Sequence, residues 1–468
     1  MVDTVASTGP VSRPWNEAGE RAETGRAARQ VVNRSALATH EPPATRDPVD
    51  ILVRQGEGRQ ADLLPIRYGR MATSPFAFLR GAAAVMAHDL GPSPVTGLTV
   101  QAIGDAHVSN FGVFASPERR LVFDVNDFDE TLRAPWEWDV KRLAASAAVA
   151  VAENGAGKGE DAAAAQRTAA AYRRAMRGFA AESTLDVWYA HLDVEDIAET
   201  RSSKRRRRES ARALAKIRRR TSEQVAGKLT ERADGGGLRF RSIPPLVTPL
   251  RELIDPDDAE RVREMVLRGF SGYRKSLTPD RRLLLDRYRL VDFARKVVGV
   301  GSVGTRCLIA LLTGHGDDDV LVLQLKEAGP SVLEPYAGGS PSRHHGARVV
   351  NGQRVVQVAS DVFLGWNTLA EGGHFYWRQL RDMKASAEIA TLGAKELGRY
   401  LDACAWCLAH AHARSGDPIA MAAYLGSGDA FDRAMAAFAV AYAAQTRDDW
   451  SALKGAIADG RLAAQAGV

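Results

Sequence analysis

The spacing of apolar residues changes twice along this chain of 468 residues, which limits the folds that it can adopt. Residues 61–285 carry apolar side chains mainly at helical spacing, residues 286–385 mainly at strand spacing, and residues 386–468 again at helical spacing. Because a strand-rich unit stands between two helical ones, the sequence predicts an α+β protein with two lobes, in which 386–468 completes the large helical lobe. Residues 1–60 are polar without a sustained period, and they predict a largely mobile tail with one short helix.

Local signals predict individual elements within this plan. Ser74 and Pro75 are typical of the N-cap and the first residue of a helix. The stretch LTVQAIGDAH predicts a strand that runs into a loop, and FGVFASPERRLVFDVNDFDE predicts a hairpin with its turn at 116–119. In the small lobe the predicted strands are LVDFARKVVG, RCLIALLTG, DVLVLQLKEA and, later, RVVNGQRVVQVASDVFLGW.

Cysteine content and hydropathy bear on the compartment. Three cysteines, Cys307, Cys404 and Cys407, are too few for a disulfide framework. No run approaches the roughly 18 apolar residues of a membrane span, and the first residues lack the apolar core of a signal peptide. We therefore expect a cytoplasmic protein without membrane association. Cys404, Cys407 and His410 lie at helical spacing, but no second ligand pair accompanies them, so we expect buried cysteines on a packed helix rather than a zinc site.

Positive charge is concentrated in one segment. The net charge is +6, yet residues 201–220 alone hold eleven Arg and Lys and one Glu, so the rest of the chain is slightly acidic. We expect a solvated basic helix there, which is also a candidate for docking an acidic partner or substrate. The segment lacks the interleaved aromatic residues that stack on bases, which argues against nucleic acid as a partner.

The loop after the first predicted strand reads GDAHVSN and places Asp105 and Asn110 five residues apart. An aspartate in such a loop can orient or deprotonate an attacking hydroxyl, and an asparagine amide oxygen is a hard, neutral ligand for Mg²⁺. The pair is therefore typical of phosphoryl transfer, although Asp and Asn also favour turns for local hydrogen-bonding reasons.

A second polar motif, FDVNDFDE at 123–130, ends the predicted hairpin. Carboxylates this close together repel one another unless they are solvated or bound to cations. We predict that Asp127 binds a metal ion at the end of a buried strand, with Asp124 and Asp129 as alternative ligands. An acidic turn in solvent is the other interpretation.

GDAHVSN, VNDFDE and PWEWDVKRLAAS, in this order, resemble the catalytic core of aminoglycoside and choline/homoserine kinase-like phosphotransferases. The resemblance implies a protein-kinase-like fold in which Asp139, in the third stretch, buttresses the catalytic loop. From about residue 61 to 450 the chain is also similar to the bacterial family called domain of unknown function 2252. The stretches that carry this similarity are SPFAFLRG, GDAHVSNFG, FDVNDFDE, WEWDVKRLAAS, VGVGSVGTR, LQLKEA, YWRQLRDMK and AHARSGD.

A glycine-rich segment, VGVGSVGTR, sets Gly299, Gly301 and Gly304 in a G-x-G-x-x-G pattern. A dinucleotide-binding fold would place a helix after these glycines, whereas the following CLIALL is a strand by content. A glycine-rich turn between two strands is typical of protein kinases, where backbone amides cover the phosphates of ATP.

Lys326 lies inside the apolar strand LQLKEA, twenty-two residues after Gly304. Because a buried ammonium needs a partner, we predict that Lys326 binds the α- and β-phosphates of ATP. Glu334 is the predicted acid that positions Lys326, with Glu327 as the second candidate. The other interpretation is an edge-strand lysine that faces solvent.

These motifs stand in the reverse of the order found in ordinary kinases, where the glycine-rich loop and the lysine precede the catalytic loop. A circular permutation accounts for the reversal. Residues 290–366 would form the small lobe and hinge, and the helix over 393–414 would be the one that normally leads into the catalytic loop.

Together the motifs predict a circularly permuted, kinase-like enzyme that uses ATP and Mg²⁺ to phosphorylate a hydroxyl of a small molecule or a protein. Asp105 would act on the acceptor, while Asn110 and Asp127 would hold Mg²⁺. Three alternatives stay open: transfer of AMP on the same fold, a non-catalytic nucleotide-binding protein, and an RNA-binding protein that acts through 201–220.

Overall fold

The computed structural model of the protein describes residues 17–195, 204–220, 222–297, 299–301, 303–369, 372–380, 383–465 and 467. The helices are α1 (Ala18–Val31), α2 (Pro48–Gly56), α3 (Leu64–Met71), α4 (Pro75–Gly81), α5 (Ala83–Leu90), α6 (Trp136–Glu153), α7 (Glu160–Phe179), α8 (Thr184–Tyr189), α9 (Lys204–Arg218), α10 (Ser222–Leu229), α11 (Ala259–Ser276), α12 (Pro279–Leu285), α13 (Glu334–Ala337), α14 (His345–Val356), α15 (Ala394–Ser415), α16 (Pro418–Leu425) and α17 (Ala430–Ala458). The strands are β1 (Thr99–Ala102), β2 (Phe111–Ala115), β3 (Leu121–Val125), β4 (Leu132–Pro135), β5 (Leu192–Asp193), β6 (Thr230–Arg232), β7 (Leu238–Phe240), β8 (Val247–Pro249), β9 (Arg289–Lys296), β10 (Cys307–Thr313), β11 (Val320–Glu327), β12 (Gly365–Thr368) and β13 (His374–Gln379).

The largest sheet has six strands in the order β12-β13-β11-β10-β9-β8, and each neighbouring pair is antiparallel. The register sets Lys326 of β11 opposite Cys307 of β10 and opposite Tyr376 of β13. Because side chains alternate along a strand, Lys326 and Glu327 point to opposite faces of this sheet.

Apolar side chains cover both faces of the six-stranded sheet. On one face, Leu323 and Trp377 belong to a buried cluster with Tyr273 of α11. On the other face, Val322 belongs to a buried cluster with Ala226 of α10. Lys326 shares the face of Val322 and lies beyond the end of its apolar cluster, where polar side chains begin.

The helices α6, α7, α15 and α17 pack together and form the main hydrophobic core. Most of α6 is buried, because its LAASAAVAVA stretch is apolar all round and the small alanine side chains let neighbouring helices approach closely. The two-stranded sheet of β1 and β4 contacts both α6 and α15. This arrangement brings the loop after β1 next to the first turns of α6.

Residues 17–60 differ from the predicted mobile tail. They contain α1 and α2, which pack on α16 and α17. The segment between these two helices carries Arg46, which forms ion pairs with Asp89 and Asp449. The side chain of Arg46 is only 5% exposed, so part of the polar composition of this stretch reflects buried ion pairs. Residues 1–16 lie outside the described part of the chain.

The predicted α+β class is confirmed, and the sheets are antiparallel. The predicted strands at LVDFARKVVG, RCLIALLTG and DVLVLQLKEA are also confirmed. Ser74 caps α4 by accepting a hydrogen bond from the backbone N–H of Ala77, and the hairpin of β2 and β3 turns at 116–119. The predicted strand at RVVNGQRVV is wrong, because this stretch is the helix α14. Its buried residues include Val349, Val350 and Val356, whose spacing fits a helix, and tertiary packing overrides their β-branched preference.

Two other sequence predictions concern whole segments. The helix α9 accounts for most of the basic stretch 201–220, of which residues 201–203 lie outside the described part. Within the part of the chain that the structure describes, no helix is long and apolar enough to cross a membrane.

Candidate functional site

One cavity of about 340 Å³ contains most of the residues that the sequence singles out. It lies between the loop after β1, the loop after β3, the glycine-rich turn, the segment after β11 and the N-terminal helices α2, α4 and α5. The structure brings Asp105, Asn110, Asp127, Gly299 and Gly301 together in its lining. The remaining polar side chains of the lining belong to Gln55, Arg59, Arg80, His107, Asp129, Glu130, Thr305 and Glu327.

The loop after β1 is held by a buried carboxylate. Asp139 of α6 accepts hydrogen bonds from the backbone N–H of Ile103 at 2.6 Å and of Gly104 at 2.9 Å. The ring of His412 also lies 3.1 Å from the Asp139 carboxylate. Gly104 has a φ of +81°, and an added Cβ would lie 2.6 Å from the carbonyl oxygen of Glu130, so only glycine fits the entry to this loop.

Asp105 is fixed from behind by Arg142 of α6. The guanidinium donates to Asp105 Oδ1, with Nε at 2.6 Å. The side chain of Arg142 is 2% exposed and that of Asp105 is 20% exposed, so the pair presents the carboxylate and not the cation to the cavity. The ion pair fixes the direction of the Asp105 carboxylate, which suits a group that orients a hydroxyl.

Asn110 is oriented by the same loop. Its side-chain Nδ2 donates to the carbonyl oxygen of Asp105 at 2.8 Å. The amide oxygen therefore faces away from that carbonyl and remains available as a ligand, with the amide orientation assigned from this hydrogen bond. Asn110 thus offers a neutral oxygen donor at the cavity beside the carboxylate of Asp105.

The three aspartates of FDVNDFDE have different surroundings. Asp124 is buried outside the cavity, where it accepts from the backbone N–H of Val125 and of Val358, and burial raises its pKa to about 6. Asp127 and Asp129 both line the cavity. Of the three aspartates, the structure therefore leaves Asp127, with Asp129 beside it, as oxygen donors at the cavity.

Lys326 supplies the positive charge that these two aspartates need. Its Nζ lies 2.6 Å from Asp129 Oδ2 and 3.4 Å from Asp127 Oδ1. Burial would lower the pKa of Lys326, but the two carboxylates outweigh burial and raise it well above its usual range. Burial would raise the pKa of Asp127, but Lys326 and Arg378 outweigh burial and lower it. Lys326 and Asp127 therefore stay charged at neutral pH.

Glu334 does not reach Lys326. It accepts a hydrogen bond from the backbone N–H of Ser331 at 3.0 Å and lies 3.9 Å from Arg348. Glu327, the second candidate, pairs with Arg306, because strand alternation places it on the opposite face from Lys326. Neither glutamate is the partner of Lys326, and Asp129 occupies that role.

The glycine-rich segment joins β9 to β10, as the sequence predicts. Gly299 and Gly301 line the cavity, whereas Gly304 lies outside its lining. Gly304 has a φ of +92° and an added Cβ would lie 3.0 Å from the Cβ of Arg59. The guanidinium of Arg59 donates to the carbonyl oxygens of Gly301 at 2.7 Å and of Val303 at 2.6 Å. The turn is thus fastened to the segment after α2.

Sequence reasoning did not select Arg59, Arg80 or Arg142, and it considered Asp129 only as an alternative metal ligand, not as the partner of Lys326. Arg142 carried a usable signal, because it follows Asp139 by three positions on one helix and must share its face. Arg59 and Arg80 carried none, since they reach the cavity only through the packing of distant helices.

Metal-binding signals elsewhere in the chain are weak. Cys404 and Cys407 are buried on α15, and burial raises the pKa of both thiols well above the usual range. Among the described residues, no group of three or more His, Cys, Asp or Glu side chains is arranged to hold a metal ion.

Fold and cavity together define an α+β protein in which acidic loops of a helical body face a lysine-bearing antiparallel sheet. The chain belongs to the family described as "Uncharacterized protein conserved in bacteria (DUF2252)", whose model matches residues 59–456. No significant match was found among curated proteins or among solved structures.

Proposed function

We propose that this protein is an ATP- and Mg²⁺-dependent phosphotransferase with a circularly permuted, kinase-like fold, acting on a hydroxyl group. The observation that carries the proposal is the meeting of two distant motifs. Asp105, Asn110 and Asp127 line one cavity, and Lys326 contacts Asp127 from the strand side although 199 positions separate them. In kinase-like enzymes this set binds the phosphates, the metal ion and the acceptor.

The contacts between the end of α15 and the start of β1 support the permutation. The backbone N–H of Gln101 donates to Ser415 Oγ at 3.1 Å, and Arg133 donates to the carbonyl oxygen of Ser415 at 2.8 Å. An added Cβ at Gly416 would lie 2.8 Å from a methyl group of Val100. In the permuted arrangement, α15 corresponds to the helix that leads into the catalytic loop of an ordinary kinase. The end of α15 should therefore lie beside the strand that precedes this loop, and these contacts agree with that.

The donor set fits Mg²⁺. Asn110 supplies an amide oxygen and Asp127 a carboxylate, and Mg²⁺ sites commonly use one or two carboxylates together with substrate phosphates and water. Fewer than three protein ligands therefore suffice, which agrees with the lack of a larger ligand cluster among the described residues. The bound ion would neutralise charge on the phosphates of ATP.

Each protein group then has a role in the proposed reaction. Asp105, held by Arg142, orients the acceptor hydroxyl toward the terminal phosphate. Gly299 and Gly301 let the backbone of the turn approach the phosphates closely. Lys326 does not itself line the cavity, and it adds positive charge on the nucleotide side from behind Asp127 and Asp129.

Calorimetry and product analysis test the proposal. We expect the purified protein to bind ATP only with Mg²⁺ present. Asp127→Asn should abolish this Mg²⁺-dependent binding. Asp105→Asn should abolish transfer while ATP still binds. Asp402→Asn is the matched control, because Asp402 pairs with Arg167 at the surface. The mass of the modified acceptor distinguishes phosphoryl from adenylyl transfer. Equal affinity for ATP with and without Mg²⁺, or normal turnover in Asp127→Asn, would contradict the proposal.

A further inference from the structure

Arg80 stands where three parts of the site converge. It lies in the last turn of α4 and lines the cavity. Arg142 donates to the carbonyl oxygen of Leu79 at 2.9 Å and also binds Asp105, so it ties the last turn of α4 to the catalytic loop. The carbonyl oxygen of Arg80 lies 3.3 Å from the position that a Cβ on Gly301 would take. The backbone of Arg80 is therefore fixed against both Asp105 and the glycine-rich turn.

Among the described residues, no carboxylate lies within ion-pair distance of the guanidinium of Arg80. Within this part of the chain, its Nε is shielded from solvent without a hydrogen-bond partner. Burial lowers the pKa of Arg80, and the charge of Asp105 raises it. A half-buried cation without a counter-ion is costly in a folded protein unless a ligand supplies the missing charge.

Arg59 brings a second positive charge to the cavity. Its guanidinium binds backbone carbonyls and forms no ion pair within the described part of the chain, and burial lowers its pKa. The same cavity is also lined by Asp105, Asp127 and Asp129. Protein cations beside a metal-binding acidic set can hold an anion between a cation and a metal ion.

We infer that Arg80 is an anion-binding residue of the site and that it binds a phosphate or carboxylate group beside Asp105. The inference rests on the proposed function for its place in the reaction. Two sources share this chemistry: the terminal phosphate of ATP and an acidic group on the acceptor. In the first case, the terminal phosphate of ATP contacts both Arg80 and the metal ion held by the acidic residues. In the second case, the anion belongs to the acceptor and lies beyond that phosphate, so Arg80 selects acidic acceptors.

The first arm of the test compares nucleotides. Calorimetry measures Mg·ATP and Mg·ADP on the wild-type protein and on Arg80→Gln. A loss of about tenfold or more in affinity for ATP, with less than about a twofold change for ADP, assigns Arg80 to the terminal phosphate, because a charged hydrogen bond to that group accounts for such a factor.

The second arm addresses the acceptor. Each protein is saturated with Mg²⁺ and the β,γ-imido analogue of ATP, and inorganic phosphate is then titrated. Phosphate binding in the wild type that weakens about tenfold or more in Arg80→Gln assigns Arg80 to an acceptor anion. Changes of less than about twofold in both arms overturn the inference.

Controls keep the outcome decisive. Arg54→Gln removes one positive charge from a pair exposed on α2 and should change neither arm. Arg80→Lys keeps the charge without the planar fork, so it should show the same pattern with smaller losses of affinity. It decides the question if Arg80→Gln does not fold.

Inorganic phosphate titrated into the protein alone separates the anion site from the proposed phosphotransferase function. Binding that depends on Arg80, in a protein that does not bind Mg·ATP, would retain the anion site and reject the phosphotransferase.

Discussion

Lys326 Nζ and Asp129 Oδ2 form a 2.6 Å ion pair between a sheet strand and a loop of the helical body, 197 positions apart in the chain. The other oxygen of Asp129 accepts a hydrogen bond from the hydroxyl of Tyr376. The side chain of Lys326 is 2% exposed, whereas those of Asp127 and Asp129 are 32% and 29% exposed. The cation is therefore buried behind the two carboxylates, and the carboxylates face the cavity.

Replacing Lys326 with Met should leave these carboxylates without their counter-charge. We expect the free energy of unfolding to fall by about 2 kcal/mol, below the 3–5 kcal/mol typical of a fully buried pair because solvent reaches both carboxylates. Mg·ATP binding should be lost as well. Urea denaturation and calorimetry measure the two effects, with Lys395→Met, at an exposed position of α15, as the control. Equal stability of the two variants would mean that the ion pair does not stabilise the fold.

The sequence identified the strand of Lys326 correctly but not the partner of Lys326. Period and composition locate β11, because apolar residues on both faces of a covered sheet leave a continuous apolar run. The partner depends on which loop reaches the face of Lys326. Glu334 follows eight residues later, yet the chain turns into α13 and carries it to Arg348. Short separation in sequence therefore predicted a pair that the path of the backbone prevents.

The same distinction explains the rest of the site. The loop with Asp105 and Asn110 is recognisable because its residue types and spacing are local features. Arg80 is not, because its position depends on Arg142, which joins the last turn of α4 to Asp105. Arg46 is a similar case. Its charge contributes to the prediction of a mobile tail, because nothing near Arg46 in the sequence reveals that Asp449 is its partner.

Glu130 should make the stability of the protein depend on pH. Burial, and to a smaller extent nearby Asp129 and Asp105, raise its pKa from 4.5 to about 7. Between these values the folded state holds a proton that the unfolded state has released, so stability is greatest below pH 4.5 and falls as the pH rises to 7. In Glu130→Gln this slope should disappear. The variant should therefore gain about 1–2 kcal/mol relative to the wild type between pH 4.5 and 7.5, a value reduced for partial exposure.

Urea denaturation at several pH values measures this difference. Glu118→Gln, in the exposed turn between β2 and β3, removes an acidic group without burial and should keep the wild-type slope. A Glu130→Gln variant with the same slope as the wild type would show that Glu130 titrates normally in the folded protein.

Asp139→Asn should disturb the loop that carries Asp105. The asparagine presents an NH₂ group to donors that need an acceptor, so one of the backbone N–H groups of Ile103 and Gly104 loses its partner. We expect a loss of about 2–3 kcal/mol in the free energy of unfolding, since a buried polar group is left unpaired. Turnover should fall more than the affinity for ATP, because the loop that orients the acceptor is misplaced.

Thermal unfolding and steady-state kinetics measure both effects. The control is Asp402→Asn, whose partner Arg167 is 48% exposed; an exposed pair of this kind contributes about 0–1 kcal/mol. Equal stability of Asp139→Asn and Asp402→Asn would reject the role of Asp139 in holding the loop after β1.

The basic helix α9 should act separately from the nucleotide site. Arg208, Arg212 and Lys216 of α9, and Arg219 just after its end, have exposed side chains, and none of the four lines the cavity. Replacing all four with Gln should leave the affinity for Mg·ATP within about twofold of the wild type, because charges more than about 8–10 Å apart are screened at ordinary salt.

The same variant should elute from a heparin column at a clearly lower salt concentration, since it loses four of the charges that attract a polyanion. Four Gln replacements at the exposed positions Arg232, Arg263, Arg268 and Arg287 lower the net charge equally outside the segment. If that control elutes as early as the α9 variant, net charge rather than a basic surface governs the binding. A loss of more than about tenfold in affinity for Mg·ATP in the α9 variant, or 1.4 kcal/mol, would instead place the helix in the nucleotide site.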